Sequence, residues 1–187
     1  MPDFTVIGSE PRYDAGFFSV ETLRVATAGG DEFDRDVVRH CGAVAIVPML
    51  DNETVLCVRQ YRVVLDQPLL EVVAGRRDVP DEDPEHTARR ELAEEVGMRA
   101  GRMIKLAEIV SGPGFTDERL FLFLALDLTD DGLAAPDGHE EAAMTVERVS
   151  LASVPDRIAA GDLIDAKSII GITLAQQYLA GSYPGMA

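Results

Sequence analysis

Between Gly75 and Met98 the chain reads GRRDVPDEDPEHTARRELAEEVGM, and this stretch dictates much of what must surround it. Asp83 before Pro84 is a helix start, with a carboxylate cap and a proline that needs no intrahelical hydrogen bond. Gly97 supplies a left-handed stop. Ala88, Leu92 and Val96 recur every four residues and form an apolar stripe suited to packing on a sheet. At 3.6 residues per turn, Glu91 and Glu95 stand one above the other, and Glu94 borders the same face. Glu94 and Glu95 also occupy the last turn, where the helix dipole disfavours carboxylates. A solvated face could carry the pair Arg90 and Glu94 at i,i+4, but a purely structural helix would more often end on Lys or Arg. Three carboxylates so placed repel unless a cation sits among them. Hard divalent ions take oxygen ligands and leave other positions to water and substrate phosphates. The segment predicts a sheet-packed helix that is a metal platform for phosphate chemistry.

The charge balance narrows the partners. The chain of 187 residues has 33 acidic against 17 basic side chains, a formal net charge of −16. That disfavours nucleic acid and anionic membranes. It would also repel a polyphosphate, a conflict that bound Mg²⁺ resolves by inverting the local field. No apolar run approaches membrane-spanning length. Met1-Pro2-Asp3-Phe4 lacks the basic and apolar regions of a signal peptide, so the expected location is the cytoplasm. Cys41 and Cys57 lie in apolar runs and read as small core residues rather than a disulfide or metal pair.

Elements follow from periodicity. Val20 to Thr27 and Glu32 to His40 flank Ala28-Gly29-Gly30-Asp31, a hairpin signal. Gly42 to Leu50 is a continuous apolar run, suited to a central strand buried on both faces. Thr54 to Arg62, Leu69 to Ala74, Met103 to Val110, Leu120 to Leu128 and Met144 to Val149 read as further strands, with Thr129 to His139 a loop. Ser153 to Ala160 and Ala166 to Ala180 read as helices stopped by Gly161 and Gly181. The order predicts one compact α+β unit with a mixed sheet between helices, preceded by an N-terminal antiparallel strand region over residues 1–40 and continuing over 41–187.

The segment from Gly75 to Met98 resembles the Nudix box, G-x5-E-x7-R-E-U-x-E-E-x-G-U with U a bulky aliphatic residue. Glu82 is followed after seven residues by Arg90-Glu91-Leu92, then Glu94-Glu95, Gly97 and Met98. One position departs, because six residues rather than five separate Gly75 from Glu82. The extra residue falls in the loop before the helix, where insertions are cheap. The resemblance implies a Nudix-type α/β/α sandwich and Mg²⁺ ligated by Glu91, Glu94 and Glu95, with Mn²⁺ as a substitute. Gly75, Glu82 and Arg90 would shape the loop and orient the ligands.

Beyond the box, Pro113 stands sixteen positions after Gly97 in Ser-Gly-Pro-Gly-Phe-Thr-Asp-Glu, and a proline there resembles the ADP-ribose pyrophosphatase subfamily. Arg59-Gln60-Tyr61-Arg62, Leu70-Glu71 and Asp165-Ala166-Lys167-Ser168 add to that resemblance. Pro113 and Phe115 could instead be a turn and a core ring, and Arg62 a solvated strand residue. In so acidic a chain, Arg59 and Arg62 are attractive contacts for a diphosphate or an adenine, since guanidinium forks phosphates and stacks on rings. Glu71, Pro113 and Phe115 join them as expected substrate contacts. Glu95 and an extra carboxylate, Glu141 or alternatively Glu140, are the expected catalytic groups, the latter as base for the attacking water.

The implied reaction is Mg²⁺-dependent hydrolysis of a nucleoside diphosphate sugar, with ADP-ribose going to AMP and ribose 5-phosphate, by a homodimer. A Nudix pyrophosphatase for another nucleoside diphosphate derivative or an oxidised nucleotide is the first alternative. A non-catalytic ADP-ribose sensor is the second, disfavoured by the complete set of box carboxylates.

Overall fold

In a computed structural model of the chain, which describes residues 3–132 and 143–183, the predicted helix is α1, Pro84–Val96. The Asp83 side chain accepts from the Glu85 N–H, Pro84 opens the first turn, and Gly97 closes the helix at φ 64°, ψ 29°. The chain forms two compact units, one made of the residues through Gly42 with Ile109–Leu120, the other of Ala43–Glu108 with the chain from Phe121 onward.

The first unit holds an antiparallel sheet in the order β1 (Phe4–Asp14), β2 (Phe18–Thr27), β3 (Glu32–His40). The β2–β3 turn is the expected one. Thr27 N–H donates to the Asp31 carbonyl at 2.8 Å, and Gly30 takes φ 91°. Strand β1 was not predicted. It is exposed along its whole length and bulged around Gly8 and Pro11, so no alternation of apolar and polar residues marks it. Residues 111–118 belong to this unit, where Val38 and Thr116 form a parallel bridge.

The second unit holds two sheets, β7-β4-β9-β8 and β10-β5-β6. Their strands are β4 (Ala43–Pro48), β5 (Thr54–Arg62), β6 (Gln67–Glu71), β7 (Val73–Arg76), β8 (Met98–Val110), β9 (Arg119–Asp130) and β10 (Thr145–Ser150), the long β8 and β9 each having one end in the first unit. Helices α2 (Val154–Ala159) and α3 (Ala166–Leu179) complete it. Strand β4 is buried on both faces, as its unbroken apolar run predicts. Val44 and Ile46 pack with Ala88 and Leu92 of α1, Val73 of β7 and Phe123 and Ala125 of β9. Val47 points the other way, so close to α3 that a Cβ on Gly171 would come within 3.0 Å of its Cγ2. Alternation along this one strand produces the helix–sheet–helix layering.

One predicted strand divides. Leu69 to Ala74 was expected to be continuous, yet β6 pairs with β5 while β7 pairs with β4 in the other sheet. The break falls at Val72, whose N–H donates to the Ser168 hydroxyl at 2.8 Å. That donor lies 96 residues from its acceptor, so local sequence carries no sign of the crossover.

Candidate active site

The seat of Glu91 is built by a strand and a helix together. Strand β7 runs antiparallel to β4 with Gly75 opposite Val44. The Glu91 side chain lies directly against Gly75: a Cβ there would run into its carboxyl carbon and both oxygens. Any residue but glycine would expel the carboxylate. Glu91 is buried, in the same turn as the apolar Ala88 and Leu92.

Arg90 collects its neighbours. Its guanidinium lies 2.8 Å from Glu91, 3.1 Å from Glu94, 3.5 Å from Asp78 and 3.8 Å from Glu82. Burial works against its charge, but Glu91, Glu94, Asp78 and Glu82 outweigh this and hold its pKa above the ordinary value. Glu82 also accepts from Thr87 Oγ1 at 2.8 Å. The longer loop before α1 is accommodated without disturbing the helix. Asp81 takes a left-handed φ of 60°, and Arg77 donates to the Glu82 carbonyl at 3.0 Å.

Glu94 and Glu95 complete the acidic end of α1, whose last turn has no basic residue. The Glu95 Oε2 atom is buried, and the carboxylate is near enough to Arg62 to favour its charge. Among the described residues, no three His, Cys, Asp or Glu side chains converge as an ion would require. The expected trio thus shares a helix end without converging on a common point, and Arg90 contacts both Glu91 and Glu94. The donor chemistry nevertheless fits a hard divalent cation, with carboxylate oxygens only and one of them in a seat that only glycine permits.

Arg62 and Glu71 are brought together, in a way their expected role as substrate contacts did not anticipate. Arg62 forks Glu71 through Nε at 2.6 Å and Nη2 at 2.7 Å. Lys167 reaches the same carboxylate, and its Nζ lies 3.0 Å from Asp165. Glu71 is only 2% exposed, so both its oxygens are committed inside the protein. Burial pushes its carboxyl upward, but Arg62 and Lys167 outweigh burial and hold it below the usual carboxylate range. The missed participant is Lys167. It stands in the run Asp165-Ala166-Lys167-Ser168 that carries the resemblance, but its pairing with Glu71 spans 96 residues.

Arg59 is committed too. Nε lies 2.5 Å from Glu147, and Nη2 lies 3.1 Å from Asp162, which Arg157 also holds. The hydrogen bond to Glu147 is the main cause that raises its pKa. This network ties β5 to β10 and the turn after α2. Pro113 and Phe115 lie in the first unit, where Phe115 is 60% exposed and its ring edge lies close to Gly112. Glu140 and Glu141 lie outside the described residues. Cys57 is buried, and burial pushes its thiol up to about 12. No described helix is long and apolar enough to cross a membrane.

Known proteins share this arrangement of sequence. Residues 39–166 match the family model of the NUDIX domain. The chain is 37% identical over 180 residues to an ADP-ribose pyrophosphatase of Mycobacterium tuberculosis, covering 96% of this chain and 86% of that protein. It is 32% identical over 152 residues to an ADP-ribose pyrophosphatase of Bacillus subtilis, covering 81% of each. The crystal structure of an ADP compounds hydrolase has the same fold, with a TM-score of 0.83 at 24% identity over 97% of this chain and 96% of that one.

Proposed function

Since the chain belongs to the NUDIX family, we propose that it is a pyrophosphatase that hydrolyses the diphosphate of ADP-ribose to AMP and ribose 5-phosphate. The observation that carries this reading is the Glu91 carboxylate seated against Gly75 at the acidic end of α1. Two relatives named for ADP-ribose hydrolysis support the substrate. Nudix hydrolases generally use divalent metals, and Mg²⁺ is the ion proposed here, with Mn²⁺ as its substitute.

Glu91, Glu94 and Glu95 would hold the cation. When bound, it neutralises charge on the diphosphate and lowers the pKa of a coordinated water. The remaining work belongs to the chain. Gly75 leaves room for the Glu91 carboxylate, and Arg90 orients Glu91 and Glu94 through contacts of 2.8 and 3.1 Å. Orienting groups of this kind commonly matter almost as much as the ligands they hold. Glu141, with Glu140 as the alternative, accepts the proton of the attacking water. That water's oxygen forms a new bond to one phosphorus as the P–O–P bridge breaks, and the leaving phosphate takes the bridging oxygen. Arg62 has its Nε and Nη2 engaged by Glu71 and a side chain 35% exposed, and can still offer its outer edge to substrate.

The same reading makes the protein a cytoplasmic homodimer whose partner is a small nucleoside diphosphate sugar rather than nucleic acid or membrane. The N-terminal strand region would be the dimer-forming part. Its test is a panel of ADP-ribose, ADP-glucose, NADH and nucleoside triphosphates with Mg²⁺. ADP-ribose should have the highest kcat/KM, and a clear preference for a triphosphate would overturn the assignment.

A further inference from the structure

The hydrolysis gives no role to Lys167, Asp165 and Ser168, which join Arg62 and Glu71 in one ion cluster. Glu71 is forked by Arg62 and reached by Lys167, Lys167 lies 3.0 Å from Asp165, and Asp165 caps α3 by accepting from the Ser168 N–H at 3.0 Å. The Ser168 hydroxyl donates to Asp165 and accepts from Val72 N–H. Two cations and two carboxylates balance within the cluster. Burying ion pairs seldom gains stability over an apolar substitute, and here Glu71 is 2% and Lys167 14% exposed, so stability alone is a weak reason for the cluster.

Its position supplies a better one. Glu71 ends β6 and Val73 begins β7. The cluster therefore holds the last residue of β6 through Glu71 and the crossover itself through the Val72 N–H, three residues before Gly75. A shift of the crossover would carry β7 with it and move the surface on which Glu91 rests.

We propose that Lys167 is a positioning residue for the carboxylate face of α1. Through Glu71 and Asp165 it clamps the Val72 crossover, and thereby sets the Gly75 seat of Glu91. Ser168 is the second half of the same clamp. The proposal rests on the reading that this face holds a divalent cation, and the two can fail separately.

The experiment measures Mn²⁺ binding to the full chain by electron paramagnetic resonance without substrate, alongside thermal unfolding. Lys167→Met removes the ammonium but leaves Glu71 its Arg62 fork, and should weaken Mn²⁺ binding by about 10–100-fold, as loss of an orienting partner commonly does. Lys167→Arg should recover most of that affinity. Ser168→Ala, which changes no charge, should weaken binding in the same direction, and decides the matter if Lys167→Met does not fold. Glu95→Gln is the control for the cation itself. Should Glu95→Gln weaken binding while Lys167→Met and Ser168→Ala change only the thermal midpoint, the clamp is merely structural and the proposal is overturned. If none of the variants alters Mn²⁺ binding, the metal reading falls and the proposal with it.

Discussion

At the scale of single residues, hydrolysis rests on carboxylates and on the groups that support them. Gly75→Ala pushes a methyl into Glu91, so it should lower activity by about 10–100-fold, the usual cost of disturbing a ligand's support. Its circular dichroism should stay near native, and an unaffected rate would mean that Glu91 needs no such seat. Glu95→Gln removes charge with little change in volume. It should abolish most turnover at limiting Mg²⁺, and unchanged turnover would make Glu95 a surface residue. Glu141→Gln should reduce kcat by about 10²–10⁴-fold with substrate affinity little altered, the usual worth of a general base. The larger effect at Glu140 would move the role one residue back. Glu71 has a testable pH signature. Its folded pKa lies below the ordinary 4.5, so its pairing stabilises fully above that value and is lost as pH falls through the lowered one. The thermal midpoint of the wild type should therefore drop below pH 4.5 more steeply than that of Glu71→Gln.

At the scale of elements, legibility tracked how local the signal was. Helix α1 could be read to its ends because cap, proline, stripe and terminal glycine all lie within fifteen residues of one another. Those caps carry measurable energy. Asp83→Ala should cost about 1 kcal/mol, the usual loss of an N-cap side chain. Gly97→Ala should cost about 1–2 kcal/mol, since an L side chain is strained in the left-handed region. Urea unfolding of both would check this, and no loss at Gly97 would contradict the cap. The division at Val72 was illegible because the partner of its N–H is Ser168, far along the chain. Strand β1 was illegible because both of its faces are exposed. The roles of Arg59 and Glu71 were only half legible: the acidic composition marks Arg59 and the resemblance marks Glu71, but their commitments to Glu147, Asp162, Arg62 and Lys167 arise from strand pairing and the packing of α3.

At the scale of the whole molecule, the exposed edge strand bears on assembly. Among the described residues, strand β1 pairs only with β2, and it exposes Phe4, Val6, Ile7 and Tyr13. Long exposed apolar edges commonly find a partner. Light scattering should give a dimer, and a fully active monomer would defeat that expectation. The acidic balance of the chain has a consequence at this scale as well. A protein of net charge −16 should engage a diphosphate only with divalent ions present, so chelation should abolish substrate binding as well as turnover. Product analysis of ADP-ribose incubated with the purified chain and Mg²⁺ tests the proposed hydrolysis itself. Equal amounts of AMP and ribose 5-phosphate, formed with Mg²⁺ and not with EDTA, are the predicted result. Intact ADP-ribose at saturating Mg²⁺, or equal cleavage in EDTA, would contradict it.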